Sequence, residues 1–469
     1  MKQSLAKKLF EAYSEWVEPA LQHRRFTSST LKPLIESLAN EPDFAVENIG
    51  YSEEHRNIYE VRYGHGPVKV LIWSQMHGDE PTGTMALFDL FNFLKTGGNE
   101  FVDFQNLKEQ LSIYCIPMLN PDGAERFIRY NAFGIDLNRD AVRKQAKESQ
   151  LLWERLAAID PNFCFTLHDQ ERYYSTGRNR NIASMSFLAN AVDFENAVPP
   201  HRKIAMQLIV EMNQVLQYFV PNQVGRYVDV GTYDVTAFGD SFQKAGYPSI
   251  LFESGGYRRD WERMQPRKLN FMALLTAFYS IQHEAYTAID EKAYFNIPEN
   301  KHRLYDLILW NLTFKEGERT LLMDIGVNRV EKDERGQAYF RGELVNFGDL
   351  QNHNAYEEYD CTGMELRIGK VSNYNGNIEH TDFTRFHKEG ITTLIHPFES
   401  KQAFVGQAIN LTNDKNYRSP KSLKREMEAN FSIWQGETIK YTILNGFLRD
   451  MEIEQGKIRN GLWVKTKKE

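Results

Sequence analysis

The stretch VKVLIWSQMHGDEPTG, residues 68–83, joins an apolar run to a group of polar side chains. Its first half is nearly continuously apolar, which is typical of a strand buried on both faces of a sheet. His77 and Glu80 follow directly, and Pro81 is suited to the first turn of a helix over 81–95. A strand, a polar turn and a helix in this order predict the opening of an α/β unit with a candidate site at the turn.

The same alternation continues through the first 290 residues. Further buried strands are predicted at 111–120, 162–169 and 248–256, and further helices at about 140–158, 201–219 and 268–286. Strands and helices that alternate at these lengths predict an α/β fold, with a mostly parallel, mixed sheet and helices on both faces.

From about residue 291 the pattern changes to short strand-like runs separated by charged, glycine-containing turns. LNG at 444–446 and EQG at 454–456 are typical of hairpin turns, and SPKSLKREMEA at 419–429 predicts a short helix. We therefore expect a smaller β-rich C-terminal domain. The predicted boundaries are an N-terminal helical segment (1–45) packed on the α/β domain, the α/β domain itself (46–290), and a β-rich accessory domain (291–469).

Composition excludes several classes of function. The net charge of −7 provides no basic footprint for nucleic acid. Three scattered cysteines, Cys115, Cys164 and Cys361, argue against a disulfide framework and a cysteine-based zinc site. We see neither a signal peptide nor an apolar run of membrane-spanning length. We therefore expect a cytoplasmic protein without nucleic-acid or membrane partners, whose oligomeric state the sequence does not indicate.

Polar side chains also stand at the ends of the later predicted strands. His168 and Glu253 each end an apolar run, and ligands of open α/β sheets bind at that carboxyl edge. Two histidines and one carboxylate are a recurrent zinc set, and His77, Glu80 and His168 supply it. Glu253 is then an acidic group outside the ligand set, suited to act as a general base toward water.

The segment NPDGAERFIRYNAFGIDLNRD, residues 120–140, contains Arg126, Arg129, Asn138 and Arg139. The planar fork of arginine grips a carboxylate in two places, and a neighbouring asparagine adds a hydrogen bond. A second arginine in the segment is suited to stabilise an oxyanion. A solvated basic segment is the alternative interpretation of these residues alone.

The order HxxE, NPDG, R-x-N-x-x-G-x-D-L-N-R, strand-end histidine and strand-end glutamate resembles the zinc carboxypeptidase superfamily over residues 50–285. That superfamily includes the aspartoacylase and succinylglutamate desuccinylase branch. The resemblance implies one Zn²⁺ per chain, held by His77, Glu80 and His168, and a catalytic role for Glu253.

The resemblance also implies roles for the groups around the metal. Asn138 and Arg139 match the pair that holds the terminal carboxylate of the substrate, and Arg129 matches the arginine that polarises the scissile carbonyl. Arg126 is close enough in sequence to exchange roles with Arg129. Tyr233 is the better match for the tyrosine that caps the substrate, and Tyr227 the weaker one.

These roles predict a zinc-dependent hydrolase that cleaves the amide bond next to a free carboxylate, which is a carboxypeptidase-type metallopeptidase acting on peptides. The alternative is an N-acyl amino acid deacylase of the aspartoacylase and desuccinylase type, although the intact NPDG favours a peptidase. A third hypothesis is a zinc-binding scaffold whose β-rich domain recruits a partner. Glu253 would have no chemical purpose in such a scaffold.

Overall fold

The computed structural model describes residues 1–96, 101–177, 181–228, 233–334, 337–377, 383–397, 408–451 and 461–462. The chain forms two compact units, Met1–His302 and Arg303–Glu469. No helix within these described ranges combines the length and apolar composition that crossing a membrane requires.

Helices and strands alternate through most of the first unit. Its helices are α1 (Gln3–Ala12), α2 (Ser28–Leu38), α3 (Thr82–Thr96), α4 (Leu107–Gln110), α5 (Pro121–Arg126), α6 (Lys147–Ile159), α7 (Pro200–Leu216), α8 (Phe238–Lys244) and α9 (Met264–Gln282). Its strands are β1 (Phe44–Tyr51), β2 (Asn57–Tyr63), β3 (Val68–Ser74), β4 (Leu111–Ile116), β5 (Phe163–Asp169), β6 (Tyr174–Thr176), β7 (Asn181–Ile182), β8 (Met185–Ala189), β9 (Val224–Arg226), β10 (Ser249–Ser254) and β11 (Asn300–His302).

The central sheet of this unit has the strand order β1-β2-β4-β3-β5-β10-β8-β9. The middle strands β4, β3, β5 and β10 run parallel to one another. Antiparallel pairs lie on either side, namely β1 with β2, β2 with β4, and β10 with β8. The predicted α/β fold with a mixed sheet is therefore confirmed. The unit extends to His302 because β11 still pairs with β6.

Strand β3 shows why its sequence is almost continuously apolar. Val70 and Ile72 belong to the core that includes α3, α7 and α9, whereas Leu71 and Trp73 belong to the core that includes α6 and α8. Successive side chains of a strand point to opposite faces, so both faces of the sheet are covered by helices. The helices cover the two faces of the sheet, so the carboxyl ends of the parallel strands form its open edge.

A buried ionic network joins the N-terminal segment to helices α3 and α9 of the same unit. Arg267 of α9 binds both carboxylate oxygens of Asp89 of α3 and also donates to the carbonyl oxygens of Leu21 and Glu18. The Tyr13 hydroxyl donates to the same Asp89 carboxylate at 2.6 Å. Because Arg267 and Asp89 are both fully buried, this pair depends on its protein partners rather than on water.

The second unit consists mainly of β-strands. Its elements are β12 (Leu304–Glu316), β13 (Arg319–Glu334), β14 (Gln337–Gly348), β15 (Asn354–Asp360), β16 (Glu365–Ile368), β17 (Lys370–Asn373), α10 (Thr384–Lys388), β18 (Ile391–Ile395), β19 (Asn410–Thr412), β20 (Phe431–Gln435), β21 (Thr438–Leu444) and β22 (Phe447–Asp450). Its larger sheet has the order β14-β13-β12-β16-β20-β21-β22, with β15 beside β12. The β-rich character expected for this part of the chain is confirmed.

Two local predictions in the second unit have different outcomes. The hairpin turn at LNG is confirmed, because Asn445 and Gly446 both have positive φ and join β21 to β22. The helix predicted at 419–429 is wrong. Backbone amides of this segment instead donate to carbonyl oxygens of β14, from Glu426 to Leu344 and from Ala429 to Gly342. The EQG turn at 454–456 lies outside the described residues.

Candidate active site

The turn after β3 is held in place by the NPDG segment. Gly78 packs so closely on α5 that a Cβ atom there would lie 2.0 Å from the backbone of Gly123. Asn120 caps α5 by accepting from the Gly123 amide at 2.8 Å, and its own amide group donates to the Met76 carbonyl at 3.1 Å. Asn120 therefore connects the start of α5 to the turn that carries His77.

The structure brings His77, Glu80 and His168 together at the carboxyl edge of the sheet. Nδ1 of His77 lies 2.8 Å from Oε1 of Glu80, and Nδ1 of His168 lies 2.7 Å from its Oε2. The two Nδ1 atoms are 3.2 Å apart. One ligand atom from each residue lies within 4.8 Å of the others, and all three side chains are buried.

This donor set fits a divalent cation such as Zn²⁺. Nε2 of His77 donates to the Asp136 carboxylate at 3.0 Å, which leaves the Nδ1 lone pair directed toward His168. Zinc-binding histidines typically donate their second ring N–H to a carboxylate in this way. Two histidines with one carboxylate form a recurrent zinc set.

Electrostatics within the cluster favour an ionised Glu80. Burial acts to raise the pKa of Glu80, but the charges of His77 and His168 outweigh it and hold the pKa well below its usual range. Burial lowers the pKa of His168, whereas Glu80 and Asp136 overcome burial at His77 and raise its pKa. The carboxylate is therefore available as a ligand at neutral pH.

Glu253 lies beside the cluster because of the strand register. In the parallel pair of β10 and β5, Glu253 stands directly opposite His168, so both side chains project from the same face of the sheet. Its Oε2 is buried and has no hydrogen-bond partner in the part of the chain that is described. Burial, and then the charges of Glu80 and Asp169, raise the pKa of Glu253 well above its usual range.

Arg129 contacts the metal-ligand candidates directly. Its Nη1 lies 3.2 Å from Nδ1 of His77 and 3.3 Å from Oε1 of Glu80, and its Nε donates to Asp136 at 2.9 Å. The side chain remains 36% exposed, so it faces both the cluster and the solvent-accessible side. A cation in this position is suited to stabilise negative charge that develops next to the cluster.

Asn138 and Arg139 follow Asp136 in a short 3₁₀ helix, Leu137–Arg139. The Asn138 side-chain oxygen accepts from the Phe238 amide at 3.0 Å, which fixes the orientation of its amide group. Arg139 is exposed, and its Nε lies 3.2 Å from the Asp234 carboxylate. Asp234 thus partly neutralises the arginine that the resemblance assigns to the substrate carboxylate.

Arg126 occupies a different environment from Arg129. Its guanidinium group pairs with Glu54 and donates to the Asp122 carbonyl at 3.0 Å. Hydrogen bonds from Arg126 and Arg56 lower the pKa of Glu54 to about 2. The structure therefore places Arg129, and not Arg126, at the His77 cluster.

The two candidate tyrosines lie in different surroundings. Tyr233 is buried, with its ring centroid 5.2 Å from that of Phe194 and its hydroxyl without a hydrogen-bond partner among the described residues. Tyr227 packs near Tyr174, with ring centroids 5.9 Å apart. The role of substrate cap remains a prediction for either residue.

Two contributors to the site were not assigned a role from the sequence. Asp136 contacts His77, Arg129 and the Asn138 amide, and its place at the start of DLNR was the available signal. Arg263 donates to the carbonyl oxygens of Gln170 and Ser254, and so joins the ends of β5 and β10 just beyond His168 and Glu253. No sequence pattern marked Arg263, because it lies between the strand predicted at 248–256 and the helix predicted at 268–286.

Replacing Asp136 with asparagine is expected to weaken zinc binding about 10–100-fold, the usual cost of removing a carboxylate behind a ligating histidine. Asparagine preserves the shape but no longer supplies the negative charge that holds the His77 ring. Zinc affinity measured by competition with a chelator tests this. Glu54→Gln, an acid-to-amide change nearby, should leave the affinity unchanged; equal affinity in both variants would contradict the role of Asp136.

Comparison with known proteins agrees with this arrangement. Residues 32–234 match the sequence model of the zinc carboxypeptidase family. Probable carboxypeptidase 2 of Trichophyton verrucosum is 28% identical over 116 residues, which are 24% of this chain and 22% of that protein. Human carboxypeptidase D is 29% identical over 126 residues, which are 23% of this chain and 9% of that protein.

Among solved structures, thrombin activatable fibrinolysis inhibitor gives a TM-score of 0.47 at 13% identity, over 60% of this chain and 81% of that one. A metallo-carboxypeptidase from Pseudomonas aeruginosa gives a TM-score of 0.44 at 17% identity, over 55% of this chain and 69% of that one.

The match to the zinc carboxypeptidase model covers residues 32–234, which is less than half of the chain. The matched range includes His77, Glu80 and His168, whereas Glu253 follows it. The chain covers less than a quarter of the length of the first curated relatives it matches.

Proposed function

We propose that this chain is a zinc-dependent carboxypeptidase-type hydrolase that removes the C-terminal residue of a peptide substrate with a free carboxylate. The observation that carries the proposal is the convergence of His77, Glu80 and His168 beside Glu253 on one face of the sheet. The proposal includes one Zn²⁺ per chain, which His77, Glu80 and His168 would hold. Every group in this proposal belongs to the unit Met1–His302.

Each residue has a defined part in the reaction. His77, Glu80 and His168 would hold the zinc, which when bound would supply Lewis acidity that lowers the pKa of water to about 7 and polarises a carbonyl group. Glu253 takes the proton from the attacking water and delivers it to the leaving amine, the usual double role of a positioned carboxyl group. Arg129 stabilises the oxyanion that forms as the carbonyl carbon becomes tetrahedral.

Asn138 and Arg139 select the bond that is cut. Both belong to the short 3₁₀ helix that follows Asp136, so they lie within one turn of the carboxylate that contacts His77. Arginine and asparagine together bind the terminal carboxylate, which places the last amide bond of the substrate at Glu253. A substrate without that carboxylate loses this positioning.

The test is zinc content together with hydrolysis of matched substrates. Peptides with a free C-terminus, the same peptides with an amidated C-terminus, and N-acyl amino acids are compared. We expect about one zinc per chain, cleavage of free peptides and little cleavage of amidated ones. Cleavage restricted to N-acyl amino acids would replace the peptidase with a deacylase, and protein prepared with zinc that binds none would contradict both.

Arg129→Ala is expected to lower kcat about 10²–10³-fold, as loss of an oxyanion donor does, with little change in KM. Steady-state kinetics on a cleaved peptide measure both constants, and zinc content shows whether the cluster survives without the Arg129 contacts. Arg126→Ala is the matched comparison, because Arg126 pairs with Glu54 instead. A large loss in Arg126→Ala and a small one in Arg129→Ala would mean that the two roles are exchanged.

A further inference from the structure

Gln75 has a backbone conformation that residues with a side chain seldom adopt. Its φ is 51°, in the left-handed region, where Cβ comes too close to the following carbonyl oxygen. The residue directly follows β3, precedes His77 by two positions and is 1% exposed. Such conformations persist only where surrounding contacts hold them, and they concentrate at functional sites. The contacts of Gln75 therefore indicate what its conformation serves.

The Gln75 side chain reaches back across the turn that carries His77 and Glu80. Its Nε2 donates to the Gly78 carbonyl oxygen at 3.0 Å, in a buried hydrogen bond. Its Oε1 lies 3.0 Å from the Thr84 hydroxyl, in the first turn of α3. One side chain thus contacts both the middle of the turn and the helix that follows it.

The bond to Gly78 is the stronger of these two contacts. The Thr84 hydroxyl also lies 2.6 Å from the Pro117 carbonyl oxygen, and a hydroxyl has a single proton to donate. The Gly78 carbonyl, in contrast, faces an amide N–H that is directed at it. Loss of the Gln75 amide group would therefore remove mainly the bond within the turn.

Backbone hydrogen bonds hold the same turn from the NPDG segment. The Asn120 amide donates to the Gln75 carbonyl oxygen at 3.0 Å, and the Asn120 side chain donates to the Met76 carbonyl oxygen at 3.1 Å. These bonds fix the residues before His77. The Gln75 side chain adds the bond to the residue after it, so the turn is held on both sides of His77.

The position of Gly78 affects both metal-ligand candidates of the turn. Gly78 lies between His77 and Glu80, and the Glu80 amide donates to the His77 carbonyl oxygen at 3.2 Å, so the three residues form one tight turn. His168 belongs to β5, a separate part of the chain. A displacement of Gly78 would therefore move His77 and Glu80 relative to His168.

We propose that Gln75 is a positioning residue of the metal site, and that its left-handed backbone and its bond to Gly78 place His77 and Glu80 opposite His168 before the metal binds. Gln75 acts through the turn and does not itself touch the metal. This role rests on the zinc site of the proposed function. Preorganised ligands bind a metal more tightly, because binding then needs no rearrangement of the turn.

The test compares zinc affinity of Gln75→Gly and Gln75→Asn with that of the wild type, by competition with a chelator. Glycine adopts a positive φ without cost and asparagine tolerates it, so neither variant adds backbone strain. Glycine has no side chain, and asparagine ends one methylene short of the Gly78 carbonyl. We expect each variant to bind zinc about tenfold or more weakly, as when a group that orients a metal ligand is removed.

Glu284→Gly is the matched control. Glu284 also has a φ of 51°, but it is exposed and lies after the C-terminal end of α9. The substitution relieves the same backbone conformation away from the turn and should leave zinc affinity unchanged. Visible absorption of the Co²⁺-substituted protein reports ligand geometry, and it should change in the Gln75 variants but not in Glu284→Gly.

The outcomes separate this role from the proposed reaction. Wild-type zinc affinity in both Gln75 variants would overturn the positioning role and leave the hydrolase proposal intact, as would a lower midpoint of chemical unfolding with unchanged zinc affinity. Weaker zinc binding by the variants would support the role even if the wild type cleaves no peptide, in which case only the hydrolase proposal fails. Wild-type protein that binds no zinc would overturn both.

Discussion

Glu253→Gln is expected to lower kcat by about 10²–10⁴-fold while zinc content stays unchanged, because proton transfer by a positioned side chain contributes that much to rate. Glutamine has nearly the same size but accepts no proton at neutral pH. The side chain has no partner through Oε2 among the described residues, so the substitution should disturb the fold little. Single-turnover kinetics and metal analysis on the same sample separate chemistry from metal loss.

The matched control is Ser186→Ala, since Ser186 faces the same side of the sheet and stands opposite Glu253 on β8. It should retain most activity, and its zinc content should equal that of the wild type. Activity in Glu253→Gln within a few-fold of wild type would assign the proton transfer to another group. Loss of zinc in that variant would instead make Glu253 part of the metal site.

Arg267→Leu is expected to reduce the free energy of unfolding by about 3–5 kcal/mol, the usual cost of leaving one member of a buried ion pair without its partner. Asp89 would remain fully buried, and among the described residues the Tyr13 hydroxyl and the Glu18 amide would be the donors left to compensate its charge. Chemical unfolding measures the change. Hydrogen exchange of peptides from residues 1–21 shows whether the N-terminal segment loosens first.

Adding Asp89→Asn to Arg267→Leu should restore part of the lost stability, because the neutral amide no longer requires a cation and its oxygen still accepts a hydrogen bond. Lys7→Ala is the comparison for an exposed pair, with Glu11, and should change stability by less than about 0.5 kcal/mol. Equal effects of Lys7→Ala and Arg267→Leu would show that the buried network contributes no special stability.

The sequence could predict those parts of the site that stand at the ends of apolar strands. His168 and Glu253 each close a buried strand, and strands of one parallel sheet present their carboxyl ends at a common edge. His77 and Glu80 follow the same logic after β3. The order of the motifs HxxE, NPDG and DLNR along the chain then limited the kinds of reaction expected for these residues.

Contacts between distant segments could not be predicted in this way. Asp89 and Arg267 are each unremarkable in a helix, and only packing of α3 on α9 shows that they are partners. The helix prediction for residues 419–429 is wrong for a related reason, because backbone hydrogen bonds to β14 override the local helix preference of this segment.

Glu253 pairs with His168 across the parallel strands β10 and β5, and this register limits where homologues of this chain can differ in length. A single codon gained or lost within β10 ahead of Glu253 would shift every later side chain of the strand to the opposite face. The carboxyl group would then enter the apolar core that contains Phe252, while a serine or a phenylalanine took its place. Length differences among homologues that share the proposed hydrolysis should therefore be confined to connecting segments, and an in-frame insertion or deletion inside β5 or β10 ahead of His168 or Glu253 should abolish that activity.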